Sequence, residues 1–132
     1  MRIHSLTIKS FRAIDHLKLE NLPDTGVVIV HGPNEAGKST ILDALDLVLR
    51  ERYTAGGNKV EKYAPVGKDV GPEVWLDATV GEVSFVVHKR WVKSKKAELT
   101  VRAPRRENFS GRKADDELFR ILDEHLDRSL MD

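Results

Sequence analysis

Eight consecutive residues, Gly32-Pro33-Asn34-Glu35-Ala36-Gly37-Lys38-Ser39, satisfy the pattern of a Gly, four residues, then Gly-Lys and Ser or Thr, with Thr40 following. Such a run can grip a polyphosphate. A triphosphate carries about four negative charges, and backbone N–H groups converge on it only where the loop wraps closely with no side chain in the way. Gly32 and Gly37 supply that freedom. The N–H groups from Gly37 through Thr40 would point at the β-phosphate with the positive end of a helix dipole behind them. Lys38 is the candidate catalytic residue, bridging the β- and γ-phosphates as a movable charge, and Ser39 Oγ is the candidate Mg²⁺ ligand. Thr40 would reach the α-phosphate. Pro33, Asn34 and Ala36 complete the loop, and Glu35, an acid beside phosphate, is expected to turn its carboxylate to solvent.

These groups act only if a strand delivers the loop and a helix leaves it. Val27-Val28-Ile29-Val30 is a β-branched run without polar alternation, as a strand covered on both faces requires, and predicts a central parallel strand over residues 27–31. Ile41, Leu42, Ala44, Leu45, Val48 and Leu49 fall at helical spacing, with Asp43, Asp46 and Arg50 on the opposite side. That spacing predicts a helix from about Ser39 to Glu51.

The rest of the chain reads as scaffold. Leu6 and Ile8 alternate with Thr7 and Lys9, and Leu17 and Leu19 with Lys18 and Glu20, so two strands joined near Phe11 to Asp15 are expected. Residues 53–72, punctuated by Gly56, Gly57, Pro65, Gly67, Gly71 and Pro72, predict a long variable loop with at most one short element. Alternation then predicts three antiparallel strands within residues 73–103, the first two joined at Gly81 and Glu82 and the next two across Lys93 to Lys96. Residues 104–113 read as a polar, basic linker, and Leu118, Phe119, Leu122 and Leu126 as the stripe of a terminal helix beginning near Ala114. The expected fold is therefore α/β: a P-loop NTPase lobe with a mixed sheet, the loop helix, an antiparallel β-subdomain and a C-terminal helix. Its parts are a core over 1–52, the variable loop over 53–72, the β-subdomain over 73–103, and linker plus helix over 104–132.

The segments MRIHSLTIKSFRAIDHLKLENL and VVIVHGPNEAGKSTILDALDLVL resemble the N-terminal half of the ATPase head of the SMC, SbcC and RecF-like group, a branch of the ABC ATPases. The likeness is strong over residues 1–50, where the sequence is especially similar to SbcC-like and YhaN-like proteins, and weak beyond. It implies ATP and Mg²⁺ as ligands. It also implies that Arg12, in the Phe11-Arg12 pair, approaches the nucleotide phosphates, and it makes Lys59, Lys62 and Tyr63 candidates for base or γ-phosphate contacts. An ATPase of this group further needs an apolar strand ending in Asp-Glu, a Gln loop, a signature loop offered by a second head, and a switch His. None of these is found here: Asp115-Asp116-Glu117 follows Lys113-Ala114 rather than an aliphatic strand, and Asn108-Phe109-Ser110-Gly111 lacks the following Gly-Gln. Both read as surface features. The resemblance thus implies the N-terminal lobe of a longer protein, whose partners would be the C-terminal half of the same head, a second head in a homodimer, and DNA with a nuclease subunit. The role implied is DNA repair or chromosome maintenance. The alternative is the nucleotide-binding domain of an ABC transporter, which shares this lobe but usually has Ser-Gly inside the loop. A GTPase is disfavoured: Asn58-Lys59-Val60-Glu61 ends in Glu where guanine reading needs Asp.

Composition bounds the remaining chemistry. At 132 residues the chain fits one domain, and with no cysteine it has no disulfide, thiolate metal site or cysteine nucleophile. No apolar run is long enough to span a bilayer and Met1 to Ser10 shows no secretory pattern, which predicts a cytoplasmic protein. His4, His16, His31, His88 and His125 form no metal spacing, and Trp75 and Trp91 read as packing residues. The net charge of +1 hides a basic middle: residues 88–113 hold 10 Lys or Arg against 2 Asp or Glu. Such a stretch can meet phosphate, but a hairpin with one solvated face also collects these residues.

Overall fold

The computed structural model describes residues 2–12, 14–20 and 35–125, the side chains of 35–39 excepted. The described elements run β1 (Arg2–Phe11), β2 (Ile14–Glu20), α1 (Glu35–Arg50), α2 (Asn58–Glu61), β3 (Glu73–Val80), β4 (Val83–Arg90), β5 (Lys96–Ala103), β6 (Glu107–Ser110) and α3 (Arg112–His125). The six strands form one sheet in the order β2-β1-β3-β4-β5-β6, and every pairing among them is antiparallel. The strands of residues 73–103 therefore continue the sheet of β1 and β2. The parallel strand expected over 27–31 lies outside the described residues.

Period-two alternation sets the two faces of this sheet. Leu6 and Ile8 of β1, Val74, Leu76 and Ala78 of β3, Phe85 and Val87 of β4, and Leu99 of β5 are all buried. Helix α1 covers that face with Ile41, Ala44, Leu47 and Val48, and α3 does so with Ala114, Leu118 and Ile121. Each fully buried aliphatic side chain contributes about 1.5–3 kcal/mol relative to exposure, so this layer holds the lobe together. Leu42, part of the apolar pattern of α1, points away from the layer and is 57% exposed. No described helix is long and apolar enough to cross a membrane.

On the other face the polar residues pair across strands. His88 bonds to Glu73, Arg90 bonds to Glu73 at 2.9 Å, Arg102 pairs with Asp77, and Trp75 stacks on His88 with ring centroids 4.1 Å apart. The basic middle of the sequence is largely consumed in this way. Besides those two arginines, Lys93 pairs with Asp69, Lys96 with Glu98, Arg112 with Asp116, and Lys89 with Asp115.

Two boundaries differ from the sequence reading. Helix α1 begins at Glu35, four residues before the expected start, because Glu35 and Ala36 favour the first turn of a helix by propensity and by the helix dipole. Residues 107–110, inside the expected linker, form β6 on the free edge of β5. A four-residue edge strand draws its stability from main-chain pairing and needs no apolar alternation, so it left no pattern to read.

Candidate nucleotide site

Residues Glu35 to Ser39 occupy the first turns of α1, so the helix begins ahead of the expected donors: Gly37 lies in its first turn, whereas the N–H groups of Ser39 and Thr40 fall within its i→i−4 ladder. Gly32, Pro33 and Asn34 lie outside the described residues, and for Glu35, Ala36, Gly37, Lys38 and Ser39 the helical backbone alone is described. Thr40 is buried.

Arg12 sits in the tight turn between β1 and β2, where Phe11 pairs directly with Ile14. A two-residue hairpin turn with the right twist needs positive φ, and Arg12 adopts it at 55° although it is not glycine. Its backbone N–H donates to the Tyr63 carbonyl at 2.7 Å. Its guanidinium carbon stands 4.8 Å from the centroid of the Tyr63 ring, and Nη1 lies 3.5 Å from Asp43 Oδ2. Asp43 follows Ser39 by one helical turn on α1. The structure thus brings Arg12 against the middle of the loop helix, one turn past Ser39 and about two turns past Glu35.

Tyr63 is 8% exposed and stacks on the fully buried Phe11, centroids 4.8 Å apart. Lys62 Nζ is 5.0 Å from the same ring, while Lys59 is exposed on α2. Lys68 bonds to Asp15 at 2.7 Å, tying residues 64–72 to the β1–β2 hairpin. Two cations thus lie against one ring, and one of them, Arg12, reaches α1 at Asp43. Among the described residues no group of three or more His, Cys, Asp or Glu gathers that could hold a metal ion.

Asp115 is a correction to the sequence reading. It is not a surface acid: its side chain is 1% exposed, Oδ1 lies 2.7 Å from Lys89 Nζ, and Oδ2 accepts the Tyr53 backbone N–H at 3.1 Å. The Lys89 ammonium also donates to the Glu51 carbonyl at 3.0 Å. Burial pushes the Lys89 pKa below the ordinary lysine value, against the pull of Asp115. The signal that could have found this pair is parity. Lys89 continues the inward set Val83, Phe85, Val87, and Asp115 lies three residues before Leu118 on the inward stripe of α3. Trp91, expected to pack, is fully buried and donates through Nε1 to the Arg52 carbonyl at 3.0 Å.

Comparison with known proteins agrees with this architecture. A family model described as an AAA domain matches residues 5–128, and the chain belongs to that family. The uncharacterized proteins Rv1278 of Mycobacterium tuberculosis and Mb1309 of Mycobacterium bovis are each 40% identical to it over 130 residues, 98% of this chain. The chain spans about 15% of the length of those curated relatives. Among solved structures, a chain from work on the structural biochemistry of ATP-driven dimerization and DNA stimulated activation of SMC ATPases superposes with a TM-score of 0.58 at 18% identity. That match covers 93% of this chain and 78% of the other. The fold is that of an SMC-type ATPase lobe.

Proposed function

We propose that this chain is the ATP-binding lobe of an SMC/SbcC/RecF-like ATPase, acting in DNA repair or chromosome maintenance through ATP-driven engagement of two heads. One observation carries the reading: the Gly32 to Thr40 run leads into the start of α1 while Arg12 is held against that same helix. In this reading the main-chain amides of residues 32–40 and the Lys38 ammonium hold the phosphates, and Arg12 adds a second cation from the hairpin. Ser39 Oγ would hold Mg²⁺, which neutralises charge on the phosphate oxygens when bound. The relatives' greater length leaves room for the C-terminal half of the head, and the superposed SMC ATPase, described by its ATP-driven dimerization, supports a second head as partner. DNA and a nuclease subunit complete the proposed set.

Water activation and the signature loop have no counterpart in this sequence, so these 132 residues alone should bind Mg-ATP weakly and turn it over negligibly. Lys38→Ala should abolish Mg-ATP binding in a calorimetric titration and leave the circular-dichroism spectrum unchanged. Binding that survives this substitution would place the nucleotide elsewhere.

A further inference from the structure

Arg12 is held in two unequal ways. Its base is fixed: the hairpin turn sets its backbone, the Tyr63 carbonyl accepts its N–H at 2.7 Å, and the Tyr63 ring, backed by Phe11, lies under the guanidinium. Its tip is loosely held, by one ion pair at 3.5 Å to Asp43 with side chains 43% and 32% exposed. A solvated pair of that kind exchanges partners at little cost, and Ser39 of α1 is one helical turn from Asp43.

We propose that Tyr63 is a positioning residue that aims Arg12 at the nucleotide, and that Asp43 is the resting partner which the phosphates displace. The proposal rests on the nucleotide-site reading above. It gives the ring of Tyr63 the job of platform rather than of base-stacking surface, because one face is already taken by Phe11 and two cations, Arg12 and Lys62, lie within about 5 Å of its centroid. It also assigns Asp43 an effect opposite in sign to that of every other residue at the site: its charge competes with the ligand for Arg12.

The test is Mg-ATP affinity in the full chain, measured as a double-mutant cycle. Arg12→Gly should weaken binding about tenfold or more, by loss of a charged donor. Tyr63→Leu should weaken it roughly fivefold by loss of the platform, and should add nothing in the Arg12→Gly background. Tyr63→Phe, which keeps the ring, should recover the affinity that Tyr63→Leu loses. Asp43→Asn should tighten binding about two- to fivefold. Equal losses from Tyr63→Leu in both backgrounds would reduce Tyr63 to a packing residue and overturn its assignment. Should Tyr63→Leu fail to fold, Asp43→Asn decides the matter, since unchanged or weaker binding there sinks the exchange. Loss of binding in Lys38→Ala with a flat cycle would refute this inference alone, whereas intact binding in Lys38→Ala would refute the site itself.

Discussion

Helix α1 is braced at two places by ion pairs of opposite construction. Past its C-terminal end, Lys89 and Asp115 meet at 2.7 Å with side chains 0% and 1% exposed, and the same two groups also bond the Glu51 carbonyl and the Tyr53 N–H. At mid-helix, Arg12 and Asp43 meet at 3.5 Å in partial contact with solvent. The first pair satisfies backbone groups where the chain leaves the helix, and a cation beside the last carbonyls complements the helix dipole. The second satisfies nothing that water could not. The C-terminal end of the loop helix is therefore sealed, and the middle of the helix is left with a partner it can trade.

The largest expected effect comes from breaking the sealed pair. Lys89→Met or Asp115→Leu alone leaves one buried charge uncompensated and should cost about 3–5 kcal/mol in urea unfolding. The double variant should regain most of that loss, because an apolar pair of similar volume needs no desolvation. Next comes Gly71→Ala, which attacks the same end through Trp91. A Cβ at Gly71 would stand 1.7 Å from the Trp91 carbonyl oxygen and 2.9 Å from the Lys93 nitrogen, so backbone must move, at about 1–3 kcal/mol. Arg12→Gly is the counterpart at the solvated pair. It removes an ion pair worth at most about 1 kcal/mol and relieves a left-handed φ that costs about 1–2 kcal/mol in a non-glycine residue. The unfolding midpoint should stay put or rise slightly while nucleotide affinity falls.

A smaller, pH-dependent effect belongs to the open sheet face. Burial opposes the charged form of Glu73, but hydrogen bonds from Arg90 and His88 outweigh it and hold its pKa below the ordinary 4.5. Burial likewise lowers the pKa of His88 below 6.5, only partly offset by Glu73. For both groups the unfolded chain takes up protons first, so stability is full above the ordinary values and declines as pH falls. The decline should begin near pH 6.5 through His88 and steepen below 4.5 through Glu73. His88→Gln should flatten the first part and leave the second to the Arg90 hydrogen bond, reduced but present, as read from unfolding midpoints across pH 4–8.

The difference between the two pairs also marks how far the residues could be read in advance. The Gly32 to Thr40 run, the Phe11-Arg12 pair, the alternation of β1, β3, β4 and β5, and the turn at Gly81 were all legible, because each is a short-range pattern with a fixed period or spacing. The early start of α1 was not, since a loop that becomes helix shows no change of period. β6 was hidden because edge pairing is made by backbone. Asp115 was misplaced because an acid in the first turn of a helix is normally a solvated complement to the dipole. Only its inward parity, taken together with that of Lys89, hinted otherwise.

By itself the sequence determined where β1 to β5 and the bodies of α1 and α3 would form and which face of each would be apolar, for these follow from local geometry and side-chain chemistry. Tertiary structure alone decided the partners. It set β1 beside β3 across the whole loop-helix segment, laid Tyr63 under Arg12, rested Arg12 on Asp43 and buried Lys89 against Asp115. Periodicity says that a side chain must turn inward or outward, but what it meets there depends on how separate elements pack. No repeat along the chain encodes that arrangement.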